Sequence, residues 1–255
     1  MPLTLLILGG TAEASRLATL LAGDARFAAT LSLAGRTTAP NLPRIATRVG
    51  GFGGAAGLAD YLRRTSVDVL IDATHPFAEQ ISANAVAAAR TSGVRLIRLT
   101  RAPWRPVPGD RWTSVRDLPA AAAALPTTRA TIFLTVGRQS LGAFASRPEH
   151  CYIVRAIDPP DLPKAMAAAE VIYGRGPFQL DDEIALLKTH RVDIVVTKNS
   201  GGEAAYAKLA AARTLALPVI LVEQPGGPDG VSAQSVEAVL GELVQLHGDL
   251  AKRSV

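Results

Sequence analysis

A chain of 255 residues with a formal net charge of +5 has room for one large domain or two small ones, each able to bury its own core. Hydrophobic residues make up 48% of it and charged residues 19%, which is typical of a folded protein rather than a disordered one. The basic residues are dispersed, without the dense Lys/Arg tracts of a nucleic-acid binder, and the single cysteine excludes an internal disulfide and a cysteine-based metal cluster. We therefore predict neither a nucleic-acid partner nor a metal site.

Apolar runs in the first hundred residues alternate with helical patterns, which predicts a parallel sheet covered by helices on both faces. The predicted strands are 3–8, 30–34, 45–49, 67–72 and 95–100, with helices over 12–21, after 54 and over 77–91. No apolar run reaches the roughly 18 to 20 residues that cross a bilayer, and Met1 leads into the first strand without a basic segment. We expect a cytoplasmic protein with no membrane partner.

A segment with three prolines, residues 101–112, predicts a linker between two domains. Beyond it the alternation resumes, with strands over 131–136, 152–155, 194–197 and 219–222 and helices near 118–125, 181–189, 204–213 and 231–246. The sequence therefore predicts an α/β fold of two Rossmann-like domains whose parallel sheets are flanked by helices, with the active site in the cleft between them. Residues 1–105 form the predicted dinucleotide-binding domain, and residues 106–255 form a second α/β domain that contributes substrate binding.

The turn after the first predicted strand has the features of a pyrophosphate site. The paired glycines Gly9 and Gly10 allow backbone N–H groups to approach an anion at the start of the next helix, and the Thr11 hydroxyl adds a donor. Because the complete G-x-G-x-x-G spacing is absent, a tight turn without a ligand is the alternative interpretation.

The residues after the second predicted strand indicate which dinucleotide binds. An NAD-binding chain usually carries an acid there, which accepts the ribose 2′-hydroxyl, whereas this chain has Gly35, Arg36 and Thr37. A guanidinium beside hydroxyl groups suits a doubly ionised 2′-phosphate. The sequence therefore predicts NADPH as the cofactor.

Two further turns of the first domain are candidates for cofactor contact. Four glycines lie within residues 50–54, and each costs about 0.5–1 kcal/mol of backbone entropy in regular structure, so close approach of a ligand to Gly51 and Gly53 is favoured over a flexible surface loop. Thr74 and His75 follow the fourth predicted strand, where a nicotinamide commonly lies. His75 can donate a hydrogen bond or a proton near neutral pH, and a purely structural role is the alternative.

In the second domain, polar turns follow two apolar strands. One turn carries Arg138 and Ser140, and the other carries Lys198, Ser200 and Gly201. These residues are predicted to bind a second, anionic ligand through their charges and backbone donors. The alternative is that Lys198 is a surface charge and Ser200 a helix cap.

The ordered set of these motifs, from about residue 3 to about residue 225, resembles the precorrin-6A reductase family of the cobalamin pathway. It comprises residues 7–14, 35–37, 50–54, 72–78, 136–138, 176–178 and 197–202. The resemblance implies NADPH-dependent reduction of one double bond in a contracted tetrapyrrole ring, giving the dihydro product precorrin-6B. The acetate and propionate arms of such a substrate account for the dispersed arginines, and Arg138 and Lys198 then lie on the substrate side.

The resemblance also implies hydride transfer from the nicotinamide to the macrocycle, followed by uptake of a proton from water, His75 or Lys198. The product is expected to be handed over to neighbouring enzymes of the pathway. Two alternatives of another kind stay open. One is an NADPH-dependent reductase of another small imine or enone, and the other is a non-catalytic protein that binds a dinucleotide or a tetrapyrrole.

Overall fold

The computed structural model describes residues 1–35, 43–226 and 232–253. The chain divides into two compact units, one formed by Met1–Arg101 with Gly226–Val255 and the other by Ala102–Pro225. Each unit contains a six-stranded parallel sheet flanked by helices, as the sequence predicted. Within the described ranges, no helix is both long enough and apolar enough to cross a membrane.

The described strands and helices are numbered here in chain order. They are β1 (Leu3–Leu8), α1 (Ala12–Leu21), β2 (Phe27–Leu33), β3 (Ala46–Val49), α2 (Gly54–Arg64), β4 (Val69–Asp72), α3 (Glu79–Ser92), β5 (Arg95–Leu99), β6 (Trp112–Val115), α4 (Leu118–Ala123), β7 (Thr131–Thr135), β8 (Cys151–Ala156), β9 (Glu170–Tyr173), α5 (Leu180–Thr189), β10 (Ile194–Lys198), α6 (Ala207–Thr214), β11 (Val219–Val222), β12 (Ser232–Ala233) and α7 (Val236–Arg253). Short 3₁₀ helices cover Arg138–Ser146 and Lys164–Met166.

The two sheets share the order of five strands and differ in the sixth. In the first unit the order is β12-β5-β4-β1-β2-β3, and in the second it is β6-β11-β10-β7-β8-β9. Five strands of each sheet follow one path, from the central strand β1 or β7 to one side and then back to the other, so the direction reverses between β1 and β4 and between β7 and β10. The sixth strand is the last one of the first sheet, β12, but the first one of the second sheet, β6. Ligands of open α/β sheets bind at the carboxyl ends of the strands at such a reversal.

Helices cover both faces of the first sheet because its central strands are apolar on both sides. Strand β1 is buried along almost its whole length, as expected for an internal parallel strand. On one face it packs against α1 through Leu17 and against α7 through Val239. On the other face the cover is α2 and α3, with Leu58 and Ala85 in the core. In the second unit, Leu187 of α5 and Leu209 of α6 pack on one face of the sheet.

The C-terminal segment belongs to the first unit, which corrects the predicted assignment of residues 106–255 to one second domain. Strand β12 pairs with β5, with Ser232 opposite Arg98, and Val236 and Leu243 of α7 are buried in the core of the first unit. The sequence predicted a helix over 231–246, whereas Ser232 and Ala233 form β12 and α7 begins at Val236. A helical pattern does not specify the sheet on which the helix packs.

Two strands of the second sheet were not predicted. Strand β6 begins at Trp112, the last residue of the predicted linker 101–112, and the sequence predicts no strand at β9. Both are strands at the edges of the sheet whose residues are all half-buried or exposed. Such strands lack the apolar run that marks an internal strand of a parallel sheet.

Candidate functional site

The predicted pyrophosphate and nicotinamide turns come together at the reversal point of the first sheet. Leu8 at the end of β1 lies opposite Asp72 at the end of β4. The Ala73 N–H donates to the Leu8 carbonyl over 3.0 Å, and the Thr11 hydroxyl donates to the Ala73 carbonyl over 2.8 Å. The turn at residues 9–11 and the turn at residues 72–75 are therefore one connected surface.

The two glycines of the first turn have different roles. A Cβ atom on Gly9 would lie 2.6 Å from Leu31 Cδ1, so any larger residue there would have to displace the Leu31 side chain of β2. Gly10 has φ +118°, a conformation that side chains disfavour, and a Cβ atom added there would meet nothing within 4 Å. Gly10 therefore leaves open space beside the N-terminus of α1, where backbone N–H groups attract anions.

The hydroxyl of Thr11 is used within the protein, which differs from the predicted role as a donor to pyrophosphate. Thr11 is the N-cap of α1, and its Oγ1 accepts the Ala14 N–H over 3.1 Å. Its one hydrogen is donated to the Ala73 carbonyl. A hydroxyl has a single hydrogen to donate. At this turn, the groups that can bind an anion are therefore the backbone N–H groups of the first turn of α1.

Asp72 and Thr74 hold each other in place at the end of β4. Asp72 is only 4% exposed, and its Oδ1 accepts the Thr74 N–H over 3.2 Å and the Thr74 hydroxyl over 2.6 Å. Its Oδ2 lies 3.8 Å from Arg98 Nε, so the buried carboxylate has a positive neighbour. Ser82 Oγ lies 3.3 Å from Thr74 Oγ1. The backbone of the predicted nicotinamide turn is therefore rigidly defined.

His75 is half-buried, and one of its ring nitrogens is used by the turn. Its Nδ1 accepts the Phe77 N–H over 3.2 Å. The neutral ring therefore carries its hydrogen on Nε2. Nε2 is therefore the ring nitrogen through which the neutral His75 donates.

Arg48, which the sequence analysis did not select, shapes the glycine-rich loop. Its Nη1 donates to Ser32 Oγ over 2.8 Å and to the Gly50 carbonyl over 3.0 Å, and its Nη2 donates to the Gly51 carbonyl over 3.0 Å. The guanidinium carbon lies 3.8 Å from the centre of the Phe52 ring, a cation–π contact. Arg48 at the end of β3 therefore holds both carbonyls and the aromatic ring of the loop.

Backbone conformation explains most glycines of this loop. Gly50, Gly53 and Gly54 have φ of +121°, +79° and +85°. Gly51 does not share this requirement, is exposed, and would have no atom within 4 Å of an added Cβ. Both glycines predicted to approach a ligand leave open space, but the positive φ at the start of α2 already explains Gly53, whereas no backbone requirement explains Gly51.

The predicted 2′-phosphate residues Arg36 and Thr37 lie outside the described residues. Gly35, which precedes them, has φ +72°, and a Cβ atom there would lie 3.1 Å from Val49 Cγ1. Gly35 therefore lies beside the end of β3, next to the loop that Arg48 shapes.

In the second unit, the predicted substrate turns meet at the reversal point between β7 and β10. Lys198 Nζ donates to Ser140 Oγ over 2.8 Å, which joins the end of β10 to the 3₁₀ helix that follows β7. Burial lowers the pKa of Lys198 from its ordinary value of 10.5. Ser200 is 8% exposed and its N–H donates to the Lys198 carbonyl over 2.8 Å, while Gly201 has φ +64°. Arg138 is exposed at the start of the 3₁₀ helix.

Trp104 and Asn199 support this second loop, and the sequence analysis selected neither. The Trp104 N–H donates to Asn199 Oδ1 over 2.8 Å, and Asn199 Nδ2 donates to the Trp104 carbonyl over 3.1 Å. The indole Nε1 donates to the Gly202 carbonyl over 2.7 Å. A tryptophan within a proline-rich segment and an asparagine directly after an apolar strand were the only signals in the sequence.

Comparison with known proteins tests the resemblance that the motifs suggested. The profile of the family described as Precorrin-6x reductase CbiJ/CobK matches residues 4–243. Precorrin-6A reductase of Rhodobacter capsulatus is 51% identical over 244 residues, covering 96% of each chain, and that of a Sinorhizobium species is 46% identical over 94% of this chain and 92% of its own. The solved structure of CobK precorrin-6A reductase superposes with a TM-score of 0.91 at 51% identity, covering 96% of this chain and 97% of its own. The resemblance is confirmed, and the chain belongs to the precorrin-6x reductase CbiJ/CobK family.

Proposed function

We propose that this chain reduces one double bond of the precorrin-6A macrocycle with NADPH, giving the dihydro product precorrin-6B. The observation that carries the proposal is the match along almost the whole chain to proteins named precorrin-6A reductase. The geometry of the two reversal points agrees with it, because each unit presents one of the two predicted sets of binding residues at the carboxyl edge of its sheet.

The first unit fits a dinucleotide. The open space at Gly10 beside the N-terminus of α1 suits a pyrophosphate, and the open space at Gly51 allows a second close approach. Thr74 and His75 lie in the turn next to Gly10, where the nicotinamide is expected. The choice of NADPH over NADH rests on Arg36 and Thr37 in the sequence, since a guanidinium suits a 2′-phosphate.

The cofactor supplies the hydride when it is bound. The chain's own part is to orient the two ligands and to supply a proton. His75 donates a hydrogen bond through Nε2, because Nδ1 is used by Phe77. Lys198 holds a proton at Nζ, 2.8 Å from the Ser140 hydroxyl, and its lowered pKa makes release of that proton easier than from an exposed lysine.

The second unit supplies groups that suit acidic arms. Arg138 and Lys198 provide positive charge, and Ser140, Ser200 and the backbone at Gly201 provide hydrogen-bond donors. Several charge-assisted bonds to separate carboxylates orient a rigid macrocycle more strictly than one bond does.

We also propose that the reaction takes place in the cytoplasm and that the product is handed over to the pathway enzymes that act next.

The test is an assay of the purified chain with NADPH and precorrin-6A, in which loss of the reduced-nicotinamide absorbance is followed and the product is identified by mass. The product should gain two hydrogens, one as hydride and one as a proton. NADH in place of NADPH, and a reaction without macrocycle, are the controls. Binding of NADPH without turnover would support a non-catalytic carrier instead, and turnover of a small imine but not of precorrin-6A would support another reductase.

A further inference from the structure

A buried ionic cluster lies under the carboxyl edge of the second sheet. Arg155 of β8 makes two hydrogen bonds to Glu183 of α5, Nη1 to Oε2 over 3.0 Å and Nη2 to Oε1 over 2.6 Å. The two residues are 9% and 1% exposed. The Arg155 guanidinium also lies between two rings, 4.8 Å from the centre of Phe133 and 4.1 Å from that of Phe178. Two hydrogen bonds and two aromatic rings therefore fix the position of the Arg155–Glu183 pair.

Lys208 of α6 extends the cluster toward the loop that follows β10. It is 5% exposed, its Nζ donates to the Ala205 carbonyl over 2.6 Å, and Nζ lies 5.0 Å from the centre of the Trp104 ring. Burial, followed by the charge of Arg155, lowers the pKa of Lys208 from 10.5 to about 7, although Glu183 opposes the shift. A lysine in this position costs folding stability that an apolar side chain would not cost.

Several backbone carbonyls of the loop that follows β10 accept hydrogen bonds from neighbouring residues. Trp104 donates to Gly202, Lys208 donates to Ala205, and the Phe178 N–H approaches the Ala204 carbonyl at 3.4 Å. A Cβ atom on Gly176 would lie 3.0 Å from that same Ala204 carbonyl. The loop is therefore packed closely against Trp104, Lys208 and residues 176–178.

We propose that Trp104 and Lys208 are positioning residues for the loop 199–205, which presents Ser200 and Gly201 to an acidic arm of the macrocycle. Neither residue contacts substrate in this assignment, and both act through the carbonyls that they bind. The proposal rests on the proposed function, because the substrate role of the loop does. It explains why a costly buried lysine is placed where it binds a loop carbonyl and faces the Trp104 ring.

The chain offers matched controls for both positions. Trp104→Phe removes an indole N–H that binds the loop, whereas Trp112→Phe removes an indole N–H whose nitrogen is buried and has no hydrogen-bond partner among the described residues. Lys208→Met removes the buried ammonium and keeps the length of the side chain. Lys188→Met makes the same change at an exposed position of α5.

In the full chain, Trp104→Phe and Lys208→Met should each raise the KM for precorrin-6A roughly 5- to 10-fold, the range of one lost hydrogen bond. The affinity for NADPH and the values for both controls should stay near those of the wild type. Lys208→Met should also unfold at the same temperature as the wild type or a higher one, because a buried charge is removed. A rise in KM without a loss of stability separates positioning from a merely structural role.

Hydrogen exchange of the backbone amides at 199–206 gives a readout that does not depend on activity. These amides should exchange roughly tenfold faster in Trp104→Phe and Lys208→Met than in the wild type and the two controls. Unchanged exchange and unchanged KM in both variants would overturn the inference. Absence of turnover in the wild type would instead overturn the proposed function, and the exchange rates would still decide whether the two residues hold the loop.

Discussion

Replacing Thr11 by valine tests whether its hydroxyl is a structural link or a ligand donor. Valine keeps the branched shape and removes the oxygen, so the first unit loses the N-cap of α1 and the bond to the Ala73 carbonyl. An N-cap is worth about 1 kcal/mol and a neutral hydrogen bond about 1 kcal/mol. The free energy of unfolding of the first unit should therefore fall by about 2 kcal/mol. Thr11→Ser keeps both bonds and should lose less than about 1 kcal/mol.

The positions of the tryptophans make the assay specific for one unit. Trp104 and Trp112 are the two tryptophans of the chain, and both lie in the second unit, so their fluorescence follows unfolding of that unit. Circular dichroism follows the helices of both units. In urea, Thr11→Val should lower the midpoint of the part of the dichroism transition that belongs to the first unit, which tryptophan fluorescence does not report.

The control is Thr19→Val, which makes the same substitution on the same helix. Thr19 is exposed and its hydroxyl donates only to the Ser15 carbonyl over 2.9 Å, so its loss should cost no more than about 0.5 kcal/mol. If Thr11→Val unfolds at the same urea concentration as Thr19→Val, the Thr11 hydroxyl is not a structural link. NADPH binding by Thr11→Ser should equal that of the wild type.

Four further predictions concern the ligands and the pH. Arg36→Ala should weaken NADPH at least about tenfold and leave NADH unchanged in calorimetric titrations, with the exposed Arg63→Ala as control; equal losses for both coenzymes would contradict the 2′-phosphate assignment. Arg138→Ala should raise the KM for the macrocycle about tenfold without changing cofactor affinity. His75→Ala should lower kcat and keep the shape of the pH–rate profile, because Nδ1 is used by Phe77; loss of one limb of the profile would identify His75 as the proton donor. The pKa of Lys208 is about 7 in the folded protein, whereas the unfolded chain has the ordinary lysine value of 10.5. Between these two pH values the unfolded chain therefore binds more protons than the folded one. Wild-type stability relative to Lys208→Met should therefore rise from pH 7 to about pH 10.5, and a flat difference in urea midpoints would refute this.

The internal strands could be predicted from the sequence, whereas of the edge strands of the two described sheets only β3 was predicted. Strands β1 and β4 are buried on both faces, so they read as continuous apolar runs bounded by polar turns. Strands β6, β9 and β12 each lie at an edge of a sheet, and they are short and less covered than the internal strands. Their places depend on pairing with residues far along the chain, as Ser232 with Arg98 does, and no local pattern encodes that partner.

Candidate binding residues of each unit are easier to propose from the sequence than the residues that support them, and the reason is physical. A residue such as Lys198 or Gly10 is recognised from its own chemistry in a turn after an apolar strand. A supporting residue has meaning only through a contact that is remote in sequence: Thr11 with Ala73, 62 positions away, and Trp104 with Gly202, 98 positions away. These contacts fix where the turns lie, so substitutions of the supporting residues should change affinity and rate through geometry and not through lost ligand contacts.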